Sequence, residues 1–174
     1  MAKKISEKTK LEIELIPKTC HYINVRTTVK SKYWDKIRNI VYKKAKYKCE
    51  ICGEDGKSQG YRHKLECHEV WKFQDKKKVQ KLSKLMALCP LCHQAKHIGR
   101  TSFIGKAEYA YERLQEINKW DIVQLTEEIN KAYKKNKERS LYDWTLDLSI
   151  LIKSPYNIPK AYLEPPKKRP KKRY

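Results

Sequence analysis

Four of the six cysteines in this sequence form two C-x-x-C pairs, Cys49 with Cys52 and Cys89 with Cys92. A pair at this spacing lets two thiolates reach one tetrahedral ion from a single tight turn, and two such pairs complete a four-sulfur site. A redox-active C-x-x-C usually occurs once, beside a βαβ unit, and the sequence shows no such pattern. The spacing therefore predicts a structural zinc ion.

Two histidines follow the second cysteine pair. His93 and His97 are four residues apart in a segment that starts at Pro90, a residue typical of the first position of a helix. Residues i and i+4 lie on one face of a helix, so both imidazoles can bind one ion. They are candidate ligands for a second metal, distinct from the four-cysteine site.

The charge of the chain indicates its partner. The 174 residues carry a net charge of +21, with 41 Lys and Arg against 20 Asp and Glu. The ten C-terminal residues supply six of the positive charges, which leaves +15 on the rest of the chain. A field this positive attracts polyanions, and nucleic acid is the commonest polyanion in a cell. The alternative is a lysine-rich solvated surface or a patch that binds a membrane surface.

Neither a secretory signal nor a membrane span is predicted. The lysines near the N-terminus are not followed by an apolar region. No stretch approaches the roughly 20 apolar residues that a spanning helix needs. We therefore expect a cytoplasmic protein, in which thiols stay reduced and favour metal binding over disulfides.

Apolar periodicity predicts an α+β fold. Two strands joined by a polar turn form a hairpin that leads into the second cysteine pair, and helices flank it. The predicted strands cover residues 11–16, 65–73, 79–88 and 144–152, and the predicted helices cover residues 31–47, 107–120 and 123–137, with a short helix from Pro90 that stops at Gly99.

The chain is predicted to have three parts. Residues 1–10 form a basic lead-in, and residues 11–153 form one zinc-stabilised domain with its core at residues 34–100. Residues 154–174 form a basic, Pro-rich tail that is too polar to pack by itself.

In this order, the four cysteines with His68, His93 and His97 resemble an HNH endonuclease of the ββα-metal kind over residues 34–100. The runs CHEVW, LCPLCHQAKHIG and RSLYDWTLDLSIL also resemble a bacterial and phage group of HNH proteins. The resemblance implies a core of two strands and a helix around a catalytic ion, with two knuckles that hold zinc. It also implies hydrolysis of phosphodiester bonds, with DNA as the expected nucleic acid.

The resemblance implies a role for each histidine. His68 would be the general base that takes a proton from water, which suits an imidazole with an unperturbed pKa near about 6.5. His93 and His97 would hold the divalent ion, expected to be Mg²⁺, Mn²⁺, Ni²⁺ or Zn²⁺, that polarises the scissile phosphate.

Two residues depart from the family pattern. Cys67 stands where the family has a third metal ligand, and a thiolate there would favour zinc, nickel or cobalt over magnesium. If Cys67 is not a ligand, Glu66 or Glu69 could replace it. Lys84 stands where the family has an Asn that orients the base; an ammonium group cannot accept the ring N–H, although it could hold a phosphate oxygen at the catalytic site.

Three functions stay open at this stage. The first is a metal-dependent endonuclease that uses His68, His93 and His97. The second, favoured by Lys84, is a catalytically weak or inactive zinc-dependent protein that binds nucleic acid. The third is an accessory subunit of a nucleoprotein complex, attached to a protein partner through its basic tails.

Overall fold

A computed structural model describes residues 9–21 and 23–163 of the chain. The architecture is α+β, as predicted, and consists of a small sheet with helices packed around it. The helices are α1 (Val25–Thr28), α2 (Ser31–Lys44), α3 (Pro90–Lys96), α4 (Ile98–Phe103), α5 (Ala107–Asn118) and α6 (Ile122–Arg139), and the strands are β1 (Glu66–Gln74), β2 (Val79–Leu88) and β3 (Thr145–Asp147).

The hairpin of β1 and β2 forms most of the sheet, and β2 is its central strand. The two strands are antiparallel, with Glu66 opposite Leu88 and His68 opposite Met86, and the register shifts by a bulge between Val70 and Trp71. The predicted hairpin is confirmed, and β2 has the predicted bounds. Strand β3 pairs in parallel with the start of β2, so the strand order is β1-β2-β3.

Helix α3 starts directly after β2. Cys89 is its N-cap residue and accepts a hydrogen bond on Sγ from the backbone N–H of Cys92 at 3.5 Å, and Pro90 occupies the first turn. The predicted start is confirmed. The predicted stop at Gly99 is wrong, because the chain bends at His97 and continues as α4 to Phe103. His97 therefore lies at the junction of two helices.

Helix α2 packs Ile37 and Val41 into the core, as its spacing predicts. It ends at Lys44, three residues before its predicted end. Lys46 and Tyr47 have positive φ angles of 53° and 58°, so the backbone turns there towards the first cysteine pair. Lys30 is the N-cap residue, and its side chain makes no capping hydrogen bond.

The predicted strand over residues 11–16 is wrong. This segment is extended but pairs with none of the described strands. It is held instead by Asn118, which accepts hydrogen bonds from the backbone N–H groups of Lys10 and Leu11 at 3.0 and 2.9 Å. The backbone N–H of Glu14 also donates to the carbonyl of Lys96 at 2.9 Å. The N-terminal segment is thereby fixed across α3.

Helices α5 and α6 match their predicted positions within two residues. Leu114 of α5 is fully buried, and α5 packs against α3. Asp121 and Gln124 form a reciprocal capping box at the start of α6. Across residues 9–21 and 23–163, every helix is too short or too polar to cross a bilayer.

The C-terminal region differs from its prediction. Only Thr145–Asp147 of the predicted strand is a strand, and Ser149–Ile152 forms a 3-10 helix. Residues 154–163 pack on the core, contrary to expectation, because Ile158 is 1% exposed and its N–H donates to the carbonyl of Leu151 at 2.8 Å. Residues 1–8 and 164–174, which include most of the predicted lead-in and basic tail, lie outside the described residues.

Candidate metal centres

The four predicted cysteines lie together. One sulfur from each of them lies within 4.8 Å of the other three, and the Sγ atoms of Cys52 and Cys89 are 3.6 Å apart. Three of the four residues are buried, and none of the six cysteines forms a disulfide. Four sulfurs in this arrangement suit a tetrahedral ion such as zinc.

The backbone fixes the first cysteine pair onto β2. The N–H of Cys49 donates to the carbonyl of Glu54 at 2.8 Å, and Gly53 closes the turn with a φ of +78°, a value that glycine adopts without strain. Glu50 then joins this turn to Ala87 through two hydrogen bonds of 2.9 and 2.8 Å. Ala87 lies two residues before Cys89, so both pairs are held at one end of the hairpin.

The charges of the sulfurs fit a divalent cation. Hydrogen bonds from Cys89 and Cys92 hold the pKa of Cys49 well below its usual range. Hydrogen bonds with Cys49 and Cys89 raise the pKa of Cys92, while burial raises the pKa of Cys52 to about 11. Four thiolates this close together require a cation between them, and a bound dication supplies that charge.

Arg113 of α5 is a charged neighbour of this cluster that the sequence did not reveal. It is 7% exposed, and burial lowers its pKa, but its contact with the Cys92 side chain, a hydrogen bond to Glu116 and the charges of Cys92 and Cys52 outweigh burial and raise the pKa. Its Nε and Nη2 atoms are buried and form no hydrogen bond within the described parts of the chain. The guanidinium can therefore offset negative charge on the sulfurs.

A second cluster is formed by His68, His93 and His97. The ring centroids are 5.2 Å apart for His68 and His93, 4.8 Å for His68 and His97, and 4.6 Å for His93 and His97. One nitrogen from each ring lies within 4.8 Å of the other two. The predicted pair on α3 is thus joined by the histidine of β1, and together they offer three imidazole ligands.

Glu14 of the N-terminal segment contacts the ring of His68. Its Oε2 atom is 2.9 Å from His68 Nε2, and its Oε1 atom is 2.8 Å from Lys96 Nζ. Burial raises the pKa of Glu14, but the hydrogen bond from His68 and the charge of Lys96 outweigh burial and lower it. Glu14 is therefore an ionised acceptor.

Glu66 makes a similar contact with His93. One carboxylate oxygen contacts His93 Nδ1, and the other lies 2.8 Å from Nε2 of His63. Burial raises the pKa of Glu66, and its hydrogen bond and electrostatic contact with His93 outweigh burial and lower that pKa. Glu66 was one of the two possible replacements for Cys67 as a metal ligand. Its side chain lies on the same face of β1 as that of His68.

Burial keeps two rings of the histidine cluster neutral. It lowers the pKa of His68, although the hydrogen bond to Glu14 acts in the opposite direction. It also lowers the pKa of His97 well below the ordinary value, with help from the neighbouring His93. Neutral imidazole is the form that binds metals, so the donor set fits a divalent ion of the zinc or nickel type.

Three residues considered from the sequence lie elsewhere. Cys67 alternates to the other face of β1, where burial raises its pKa to about 12, and it is not part of the histidine cluster. Glu69 is also on that face and accepts a hydrogen bond from the N–H of Val25 at 2.7 Å. Lys84 is exposed on β2, opposite Val70 and one step along the same face from the His68–Met86 pair.

The histidine cluster borders an open groove of about 1460 Å³. None of the four cysteines of the cysteine cluster lines this groove, although Cys20 and Cys67 do. Arginines from three helices line this groove, namely Arg26, Arg38 and Arg100. Phe103, at the end of α4, also lines the groove with 89% of its surface exposed. His68, His93 and His97 themselves line this groove.

No protein-family model, no curated protein and no solved structure matches this chain. The resemblance to HNH endonucleases therefore rests on the cysteine and histidine pattern and stays a prediction. The residues that the sequence did not reveal are Glu14 and Arg113. Glu14 is 54 residues from His68 in sequence, and only its position as an acidic residue between Ile13 and Leu15 sets it apart.

Proposed function

We propose that this chain is a metal-dependent nuclease that hydrolyses phosphodiester bonds, with DNA as the expected substrate. The observation that supports it best is the convergence of His68, His93 and His97 at one point beside an open groove. A chain with a net charge of +21 is suited to hold a polyanion at that groove.

Each part of the site has a task in this proposal. With zinc bound, the cysteine cluster would fix the end of the hairpin to α3, and so set the distance between His68 on β1 and the histidines at positions 93 and 97, within and just after that helix. His93 and His97 would hold the second ion, which would supply Lewis acidity towards a phosphoryl oxygen and lower the pKa of a bound water. Arg26, Arg38 and Arg100 lie where they can contact the phosphates of a bound strand.

Imidazole ligands narrow the choice of this second ion. Three neutral nitrogens suit zinc, nickel or cobalt, whereas magnesium prefers oxygen ligands in octahedral geometry. We therefore expect activity with Zn²⁺, Ni²⁺ or Co²⁺ to exceed activity with Mg²⁺.

The direct test is cleavage of supercoiled plasmid by the purified protein with each ion in turn. The variant pair His93→Ala and His97→Ala should lose at least about 100-fold of the rate, since even outer partners of a metal site contribute 10- to 100-fold. Glu127→Ala is the control, because Glu127 is exposed on α6 and belongs neither to the cluster nor to the lining of the groove. Equal cleavage by the double variant and the control would exclude the histidine cluster as the active site.

The second candidate is a zinc-stabilised protein that binds nucleic acid without cleaving it. Lys84 favours it, because this exposed ammonium group replaces the amide that would orient a base in the family. It predicts binding that weakens steeply between about 50 and 200 mM salt, with no cleavage under any ion. Binding of this kind together with intact plasmid would replace the nuclease proposal.

A further inference from the structure

The ring of His68 is enclosed on both sides. It is 1% exposed, its Nε2 atom lies 2.9 Å from Glu14 Oε2, and its edge faces the rings of His93 and His97. Its Nδ1 atom is buried and has no hydrogen-bond partner among the residues that the structure describes. One nitrogen is therefore engaged and the other is left without a protein partner.

The partner of Nε2 determines the tautomer of this ring. Glu14 is held by an ion pair with Lys96 at 2.8 Å, and an ionised carboxylate can only accept hydrogen bonds. Nε2 must therefore carry the proton and donate it. In a neutral imidazole the other nitrogen, Nδ1, then keeps its lone pair.

A buried lone pair without a partner is unfavourable unless something binds it. A general base must reach water, yet this nitrogen lies inside a nearly inaccessible ring. A ligand atom, by contrast, needs only the ion that neighbouring ligands share. His93 and His97 are such neighbours, with a nitrogen from each ring within 4.8 Å of one on His68.

We propose that His68 is the third ligand of the ion held by His93 and His97, that it binds through Nδ1, and that Glu14 is the residue that positions it. His68 then takes the place of the ligand for which Cys67 was the sequence candidate, and it does not act as the general base. The proposal rests on the metal site of the proposed function, but not on nuclease activity.

The same arrangement recurs at His93. Its Nδ1 atom contacts Glu66, so Nε2 is the nitrogen that remains for a metal. Metal-binding histidines commonly donate their other N–H to a carboxylate, which fixes the tautomer and makes the ligand more basic. Two of the three rings in this cluster thus have the partner expected of a metal ligand.

The segment that carries Glu14 is built to hold it in place. The backbone N–H of Glu14 donates to the carbonyl of Lys96, and Lys96 Nζ also donates to the carbonyl of Glu12 at 3.2 Å. Four residues earlier, Asn118 binds the backbone of Lys10 and Leu11. Lys96 is 4% exposed, so its charge is committed to this contact.

The first experiment titrates Ni²⁺ or Zn²⁺ into protein whose cysteine site is already loaded with zinc. Glu14→Gln keeps the size of the side chain but removes its charge, and the affinity for the second ion should fall by about 10- to 100-fold. Glu12→Gln is the matched control, since this glutamate is exposed on the same segment, and its affinity should equal that of the wild type. An unchanged affinity in Glu14→Gln would overturn the role of Glu14.

The second experiment separates a ligand from a base. His68→Ala should lose the second ion while keeping the zinc of the cysteine site, whereas loss of a general base would leave both ions bound. In the wild type, ¹⁵N NMR should show a protonated Nε2 for His68 and a large shift of Nδ1 when the ion is added. This spectrum decides the matter even if His68→Ala does not fold.

The outcomes also distinguish this proposal from the nuclease proposal. If the protein binds two ions with His68 as a ligand but does not cleave the plasmid, the nuclease proposal is wrong and the proposed ligand set is supported. If His68→Ala binds the second ion with wild-type affinity, the proposed ligand set is wrong. The same holds if the ¹⁵N signal of His68 Nδ1 does not shift when the ion is added, whether or not the plasmid is cleaved.

Discussion

The cysteine cluster and the histidine cluster share the hairpin and α3 but are built in different ways. The four cysteines lie in two tight turns, and their ligand set is closed. The three histidines border an open groove and receive carboxylate partners from two other places, Glu14 and Glu66. Four sulfurs leave a tetrahedral ion no free position, whereas three nitrogens leave one for water or substrate. This difference supports the proposal that the first cluster is structural and the second reactive.

Loss of a cysteine ligand should have the largest effect. Cys92 is fully buried in the cluster, and Cys92→Ser should release the zinc and unfold the core. Structural zinc contributes an apparent binding free energy of about 10–16 kcal/mol, which is of the same size as the whole stability of a typical domain, about 5–15 kcal/mol. Far-UV circular dichroism with elemental analysis of bound zinc measures both effects.

Cys67→Ser is the control for this prediction. Because Cys67 lies outside both clusters and is half-buried, the variant should keep its zinc and lose only about 1 kcal/mol of stability, as is typical for a single substitution. Loss of either ion in Cys67→Ser would support the ligand role predicted for it from the sequence, and the division between the clusters would fail.

A smaller effect is expected from Arg113, which offsets the charge of the cysteine cluster. Four thiolates with one Zn²⁺ carry two negative charges, and this buried guanidinium is the cation beside Cys92. Arg113→Leu should weaken zinc binding by about 10-fold, as loss of an outer partner does, and should speed transfer to a chelator. The second ion should be unaffected.

Glu116→Gln is matched to this change. Glu116 accepts a hydrogen bond from Arg113 at 2.6 Å but is 60% exposed, and exposed ion pairs contribute about 0–1 kcal/mol. Its zinc transfer rate should stay within about twofold of the wild type. If both variants release zinc equally fast, the effect comes from the ion pair on α5 and not from charge at the cysteines.

The smallest effect is expected far from both clusters. Asp121 caps α6 through a hydrogen bond from the N–H of Gln124 at 2.8 Å, and Asp121→Ala should lower stability by about 1 kcal/mol. Thermal unfolding measures the change, with the exposed Glu127→Ala in the same helix as a control near zero. Both variants should bind the same amount of each metal ion as the wild type. A loss of either bound ion would show that the clusters depend on α6.

The sequence predicted the cysteine cluster because its information is local. Two residues separate the cysteines of each pair, and a tight turn at that spacing brings their sulfurs together. The hairpin between the pairs was predicted from its apolar pattern, and β2 was predicted with its observed bounds. His93 and His97 were predicted to share a face from their helical spacing, and the structure confirms that they lie together.

The rest of the histidine cluster depends on contacts between segments far apart in the sequence, which residue spacing cannot predict. The alternating residues 11–16 predicted a strand, but among the described strands none lies beside them, and Asn118 holds the segment instead. That placement brings Glu14 to His68, a contact across 54 residues. The alternating pattern at residues 144–152 overpredicted a strand for the same reason, because only three of its residues pair with β2.

The most direct measurement is anomalous X-ray scattering from a crystal grown with Zn²⁺. We predict two metal peaks, one bonded to the sulfurs of Cys49, Cys52, Cys89 and Cys92 at about 2.3 Å and one bonded to His68 Nδ1, His93 and His97 at about 2.0–2.1 Å. A single peak at the cysteines, or a second peak that contacts His93 and His97 but not His68, would contradict the division into a closed structural centre and an open three-histidine centre.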